Sequence, residues 1–140
     1  MKMNKSLFYT LSFTWGIVMT AIGLLAAMGL SITGHKAKKY GWCWHFEVGK
    51  GWGGVNLGLV FITGAGASEH TKNHEHGHGL QNCIWGVLFP FVVAIPSAIR
   101  YHDRNRRARL GETLEPYDAV WYEGDATKRG NEFMRDFVGE

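Results

Sequence analysis

His74-Glu75-His76-Gly77-His78 is the part of this 140-residue chain whose residue types and spacing could do chemistry. On a helix, residues four apart share a face, so His74 and His78 can both direct an imidazole at one cation. Glu75 projects to the flank of that stripe. A carboxylate there can hold and deprotonate a water activated by the cation instead of ligating the ion itself. The pattern predicts a zinc site suited to hydrolysis, with two ligands (His74, His78) and a base (Glu75) from one segment. The third ligand must come from another element.

Downstream candidates for that ligand are His102, Asp103, Glu112, Glu115, Asp118, Glu123 and Asp125. Glu123 is preferred, because it begins a helix whose facing positions, Ala126 and Gly130, are small enough to allow a close approach. Asp125 falls on another face of that helix, suited to a supporting or surface role. His70 lies on nearly the same stripe as His74 and His78, so a histidine tract that binds metal non-specifically is the competing reading. His76 is expected to face solvent or to support the ligands from outside. Tyr117, Tyr122 and His102 are undistinguished as donors to a developing oxyanion.

The elements that would position these groups follow from pattern. Trp42–Val48 and Val55–Thr63 are rich in aromatic and β-branched residues and predict a β-hairpin across the glycine-rich turn at 49–54. Ser68 or Thr71 then caps a helix. On it His74, His78, Gln81 and Trp85 form one stripe, beside an apolar stripe of Leu80, Ile84, Val87 and Leu88. Gly77 lies between the stripes, where the lack of a side chain admits another backbone. Ile84–Ile99 is an apolar segment interrupted by Pro90 and Pro96, short for a membrane span. From Asp118 an amphipathic helix is expected, with Glu123, Ala126, Gly130, Phe133 and Phe137 on one face.

No charge occurs between Ser6 and Ile32, a run long enough to cross a hydrocarbon core that needs about 20 helical residues. Secretory signals have apolar cores of about 7–15 residues, so an uncleaved transmembrane helix is expected over a removed leader starting at Lys2 and Lys5. Residues 1–34 are thus read as a membrane anchor and 35–140 as the metal-binding domain, an α+β fold. Lys36, Lys38 and Lys39 follow the first apolar segment, and five arginines between Arg100 and Arg109 follow the second. Basic runs abutting apolar segments indicate lipid contact at the cytoplasmic face, and no groove-reading motif accompanies them to suggest nucleic acid. If Ile84–Ile99 crossed the bilayer, His74/His78 and Glu123 would be separated, so a non-spanning second segment is expected. Cys43 and Cys83 match no metal spacing and read as two buried free thiols.

Trp121-Tyr122-Glu123-Gly124-Asp125-Ala126, taken with the upstream motif, resembles the Glu-x-x-Ala element of gluzincins, whose third zinc ligand is a glutamate. Residues 73–82 (Asn-His-Glu-His-Gly-His-Gly-Leu-Gln-Asn), with Leu88-Phe89-Pro90 and Ile95-Pro96-Ser97, are similar to a group of small, poorly characterised bacterial membrane proteins. The likeness covers roughly 53–130 and departs at Val87, where a proline is expected. It implies a zincin-like domain holding Zn2+ through His74, His78 and Glu123. Glu75 would serve as base for hydrolysis of a peptide or protein substrate, and the protein would be integral to a bacterial cell membrane. The alternative class is a non-catalytic metal-binding or structural membrane protein.

Overall fold

The computed structural model describes residues 3–138, so Lys2 lies outside the described residues. Two helices, α1 (Lys5–Phe13) and α2 (Ile17–Ile32), lead into a four-stranded sheet of β1 (Lys38–Tyr40), β2 (Cys43–Glu47), β3 (Gly54–Leu57) and β4 (Val60–Thr63). Helix α3 (Glu69–Trp85) follows, then a 3-10 turn (Gly86–Leu88) and a π-helical turn (Pro90–Ala94) that runs into α4 (Ile95–Arg109). A last helix, α5, spans Trp121–Val138. The α+β class matches the expectation.

The strand pairing does not. The spatial order is β1-β2-β4-β3, with β2 and β4 parallel and β3 antiparallel to β4 at the edge. The expected hairpin between Trp42–Val48 and Val55–Thr63 is therefore replaced by one inside the second segment. Leu57 pairs with Val60 across Gly58-Leu59, Gly58 takes φ +76°, and its N–H donates to Asn56 Oδ1 at 2.7 Å. Glycine at the first central position of a two-residue loop is what such a turn requires. Apolar β4 takes an interior position because Val60, Phe61 and Thr63 can all be buried there, while β3, in which only Asn56 is buried, takes the edge.

The N-terminal segment is corrected as well. The run expected to be one transmembrane helix breaks at Thr14–Gly16, and α1 and α2 meet at 90°. Among the described residues no single helix is long and apolar enough to cross a membrane. The break is built in: the Trp15 indole donates to the Ile84 carbonyl, and Asn82 Nδ2 donates to the Gly16 carbonyl. A Cβ on Gly16 would stand 2.6 Å from Asn82 Nδ2. Likewise, α3 through Leu88 and the segment from Pro90 to Arg109 meet at 116°.

Two apolar clusters hold the layers together. Phe8 of α1 packs with Cys43, Leu59, Phe61, Leu80 and Cys83, joining the N-terminal helix, the sheet and α3. Met19 of α2 packs with Phe89, Val93 and Tyr122 beneath α5. Both cysteines are free and buried, as expected. The segment read as an anchor thus shares a core with the helix that carries the histidines. Phe8→Ala is expected to destabilise the protein by about 3–5 kcal/mol in denaturant unfolding, the usual range for a buried phenylalanine.

Candidate metal centre

Helix α3 starts where Ser68 accepts a hydrogen bond from the Thr71 N–H at 3.2 Å. From Asn73 to Cys83 every residue is buried, because the sheet, α1 and α5 enclose the helix from different sides. The contact with α5 is close at two glycines. A Cβ on Gly77 would overlap the Ala126 carbonyl, and one on Gly130 would overlap the Asn73 carbonyl. The small residues anticipated on both helices therefore set their separation.

That separation brings Glu123 onto the histidines. His74 Nε2 lies 2.9 Å from Glu123 Oε2, and His78 Nε2 lies 3.6 Å from the same oxygen. One ligand atom from each of the three residues lies within 4.8 Å of the others, and all three side chains are buried. Ligand atoms of a tetrahedral zinc stand about 3.3 Å apart, from bond lengths of about 2.0–2.2 Å. The two histidine–glutamate distances bracket that value. The other carboxylate oxygen, Oε1, is buried with no hydrogen-bond partner. The group fits a cation: two imidazole nitrogens and a carboxylate converge, and an orphaned oxygen remains that an ion could satisfy.

The imidazoles are aimed by their far nitrogens. Gln81 Nε2 donates to the Tyr122 carbonyl at 2.9 Å and to Asp125 Oδ2 at 2.8 Å, which turns the amide oxygen toward His78. His78 Nδ1–H therefore donates to Gln81 Oε1 at 2.7 Å, leaving the Nε2 lone pair for the site. Asp125 is in turn held by Arg129 at 2.7 Å. His74 Nδ1 shares a 2.7 Å hydrogen bond with the Thr127 hydroxyl. Fixing the tautomer this way raises ligand basicity and is worth roughly 10–100-fold in metal affinity. Gln81→Ala is expected to lower metal affinity by about that factor in a competitive chelator titration, with the fold retained.

Electrostatics agree with a charged centre. Burial alone would lower the His78 pKa, but Glu123, Glu75 and Gln81 outweigh it and hold it above the ordinary value. Burial alone would raise that of Glu123, yet the two imidazoles keep its carboxyl far below the usual range. Its place in the first turn of α5 adds the positive end of a helix dipole. Burial pushes Glu75 up, partly countered by His78 and His74.

Glu75 borders two cavities. One, of about 320 Å³, is lined by Trp52, Val55, Phe89, Val93, Ala98 and Tyr101 together with His78. The other, of about 430 Å³, is bounded by His74, His70 and Pro116–Asp118. Edge residue Gly54 faces Glu75 so closely that a Cβ there would stand 3.0 Å from its Cγ. Of the three possible oxyanion donors, Tyr117 lines both cavities and its ring lies 5.9 Å from that of His74. His102 lines the first cavity only, and Tyr122 lines neither, packed instead in the core.

Among the remaining third-ligand candidates, Asp125 supports Gln81 and Glu115 pairs with arginines of α4. His70 is exposed at the start of α3, outside the converging group. His76 is corrected from solvent-facing to fully buried. It stacks on Phe133 at 4.2 Å between ring centroids and accepts the Trp42 N–H at 3.1 Å. Burial, with Lys39 adding to it, lowers its pKa to about 3, so it stays neutral. Thr127 was not anticipated; its spacing of four from Glu123 on α5 is the signal that could have found it.

The helix pair thus defines a buried His-His-Glu centre able to hold a metal ion. No family model, curated protein or solved structure matches this chain.

Proposed function

We propose that the protein is a zinc-dependent peptidase in which His74, His78 and Glu123 hold the ion and Glu75 is the general base. The observation that carries this reading is the placement of Glu75. It is next to a ligand in sequence, outside the converging donor set, and open to an apolar cavity beside the edge strand β3. Bound there, a zinc ion would supply Lewis acidity to water and to the scissile carbonyl. Glu75 accepts a proton from the attacking water and returns it to the leaving amine as the C–N bond breaks, giving a carboxylate and an amine. Its raised pKa suits both halves of that exchange. Tyr117, at the border of both cavities, is placed to donate to the oxygen that gains charge.

The test is Glu75→Gln assayed on a mixed, internally quenched peptide library. Turnover should fall by about 10²–10⁴-fold, the usual contribution of a general base, while about one zinc per chain is retained. Retained activity in that variant would remove Glu75 from the mechanism. A wild-type protein that holds zinc and cleaves nothing in the library would be a binding protein instead.

A further inference from the structure

Among the described residues, fifteen of the twenty-one exposed large hydrophobics lie in two stretches, 13–32 and 84–99. Helix α2 buries only the stripe of Met19, Thr20 and Gly23 against the rest of the protein. Its other faces, including Ile22, Leu25 and Met28, are exposed. The second stretch has the same division. Phe89 and Val93 point into the core, whereas Phe91, Ile95 and Ile99 point out. The two stretches adjoin, since Trp15 bonds to Ile84 and Met19 packs with Phe89 and Val93. Together they expose on the order of 1,000 Å² of apolar surface, well above the few hundred a monomer in water usually shows.

We infer that this joint surface of α2 and residues 84–99 docks into one leaflet of an anionic lipid bilayer, without crossing it. Three observations choose this occupant. First, α2 has 16 residues, about 24 Å of helix against a hydrocarbon core of about 30 Å, and sharp bends interrupt the chain before α2 and between Leu88 and Pro90. Second, the backbone at both bends is hydrogen-bonded within the protein. Gly16 N–H donates to the Leu11 carbonyl at 2.7 Å, its carbonyl accepts from Asn82, and Gly86 N–H donates to the Asn82 carbonyl. Irregular backbone enters a lipid phase only when so satisfied. Third, each stretch ends in exposed cations: Lys36, Lys38 and Lys39 after α2, Arg106 and Arg109 at the end of α4. Helix α4 carries five arginines and one acid. A second copy on a two-fold axis would bring like charges together, whereas phospholipid headgroups complement them.

This inference is independent of the hydrolytic reading. Its consequence for the centre is spatial. Phe89, Val93, Ala94 and Ala98 line the cavity beside Glu75 from the inner side of the helical segment whose outer side would be in lipid. The cavity is then about one helix diameter, roughly 10 Å, from the acyl region.

The experiment is flotation of the full-length protein with vesicles of phosphatidylcholine and phosphatidylglycerol, followed by thiol labelling from outside. The wild type should float, and Phe91→Asp combined with Ile95→Asp should reduce the floated fraction on the order of tenfold, in line with the cost of placing charge among apolar contacts. Both sites are exposed, and unchanged circular dichroism in detergent would establish that the variant is folded. Asn4→Cys, Lys36→Cys and Arg109→Cys should each react with an impermeant maleimide without detergent. Protection of any one until detergent is added would mean a crossing and overturn the proposal. Failure of the wild type to float would overturn it too, as would a dimer lost in the Phe91/Ile95 variant with no lipid association.

Discussion

Glu123→Ala is expected to abolish stoichiometric zinc binding, costing more than the roughly 10–100-fold that loss of an outer hydrogen bond costs. Glu123 Oε2 is the oxygen that faces the Nε2 atoms of both imidazoles, and nothing else in the converging group can replace it. His74 Nε2 and Glu123 Oε2 lie 2.9 Å apart, within hydrogen-bond reach. Removing the carboxylate therefore also takes away the partner that both buried imidazole Nε2 atoms face. A folded Glu123→Ala protein should carry well under one zinc per chain by elemental analysis, while His70→Ala should carry as much as the wild type. The opposite result would favour the histidine tract over the three-residue centre, because His70 is the exposed histidine on the same stripe. A partial loss in both variants would indicate several weak sites.

The centre was more legible than the fold around it. His74, Glu75 and His78 follow from spacing alone. Glu123 followed from a size argument about Ala126 and Gly130, and the carbonyl contacts at Gly77 and Gly130 are the physical content of that argument. The sheet order is hidden in the sequence because Val55–Thr63 is continuous in hydropathy, with the turn at Gly58-Leu59 inside an apolar run. Asn56 two residues before Gly58 was the available cue, since its side chain accepts the turn N–H. His76 departs from its expected position for a different reason. A helical wheel assigns polar residues to solvent only if some face meets solvent, and α3 is enclosed on every side along its middle. Likewise, hydropathy sums over Ser6–Ile32 cannot register a 90° bend that depends on Asn82, sixty-six residues from Gly16. Long-range hydrogen bonds of that kind leave no periodic trace.

Gly77→Ala is expected to destabilise the protein by more than the roughly 1–3 kcal/mol of ordinary overpacking. Two effects oppose each other here. Alanine is intrinsically better than glycine within a helix by about 0.8–1.0 kcal/mol. At Gly77, however, the added methyl would overlap the backbone carbonyl of Ala126, which cannot swing aside as a side-chain tip could. Relief requires α5 to move bodily, and the clash outweighs the propensity. Gly29→Ala in α2 isolates the opposing term, since nothing lies within 4 Å of a Cβ there, and should be neutral or stabilising by up to about 1 kcal/mol. Guanidinium unfolding in the same detergent would compare the two. Zinc affinity supplies the sharper measurement, because coordination tolerates only about 0.2 Å of ligand displacement. Gly77→Ala keeps all three ligand side chains, yet a displaced α5 carries Glu123 away from His74 and His78. Zinc should therefore be lost even under conditions where the variant remains folded. Wild-type affinity in a folded Gly77→Ala protein would show that something other than the close approach of the two helices sets the position of Glu123.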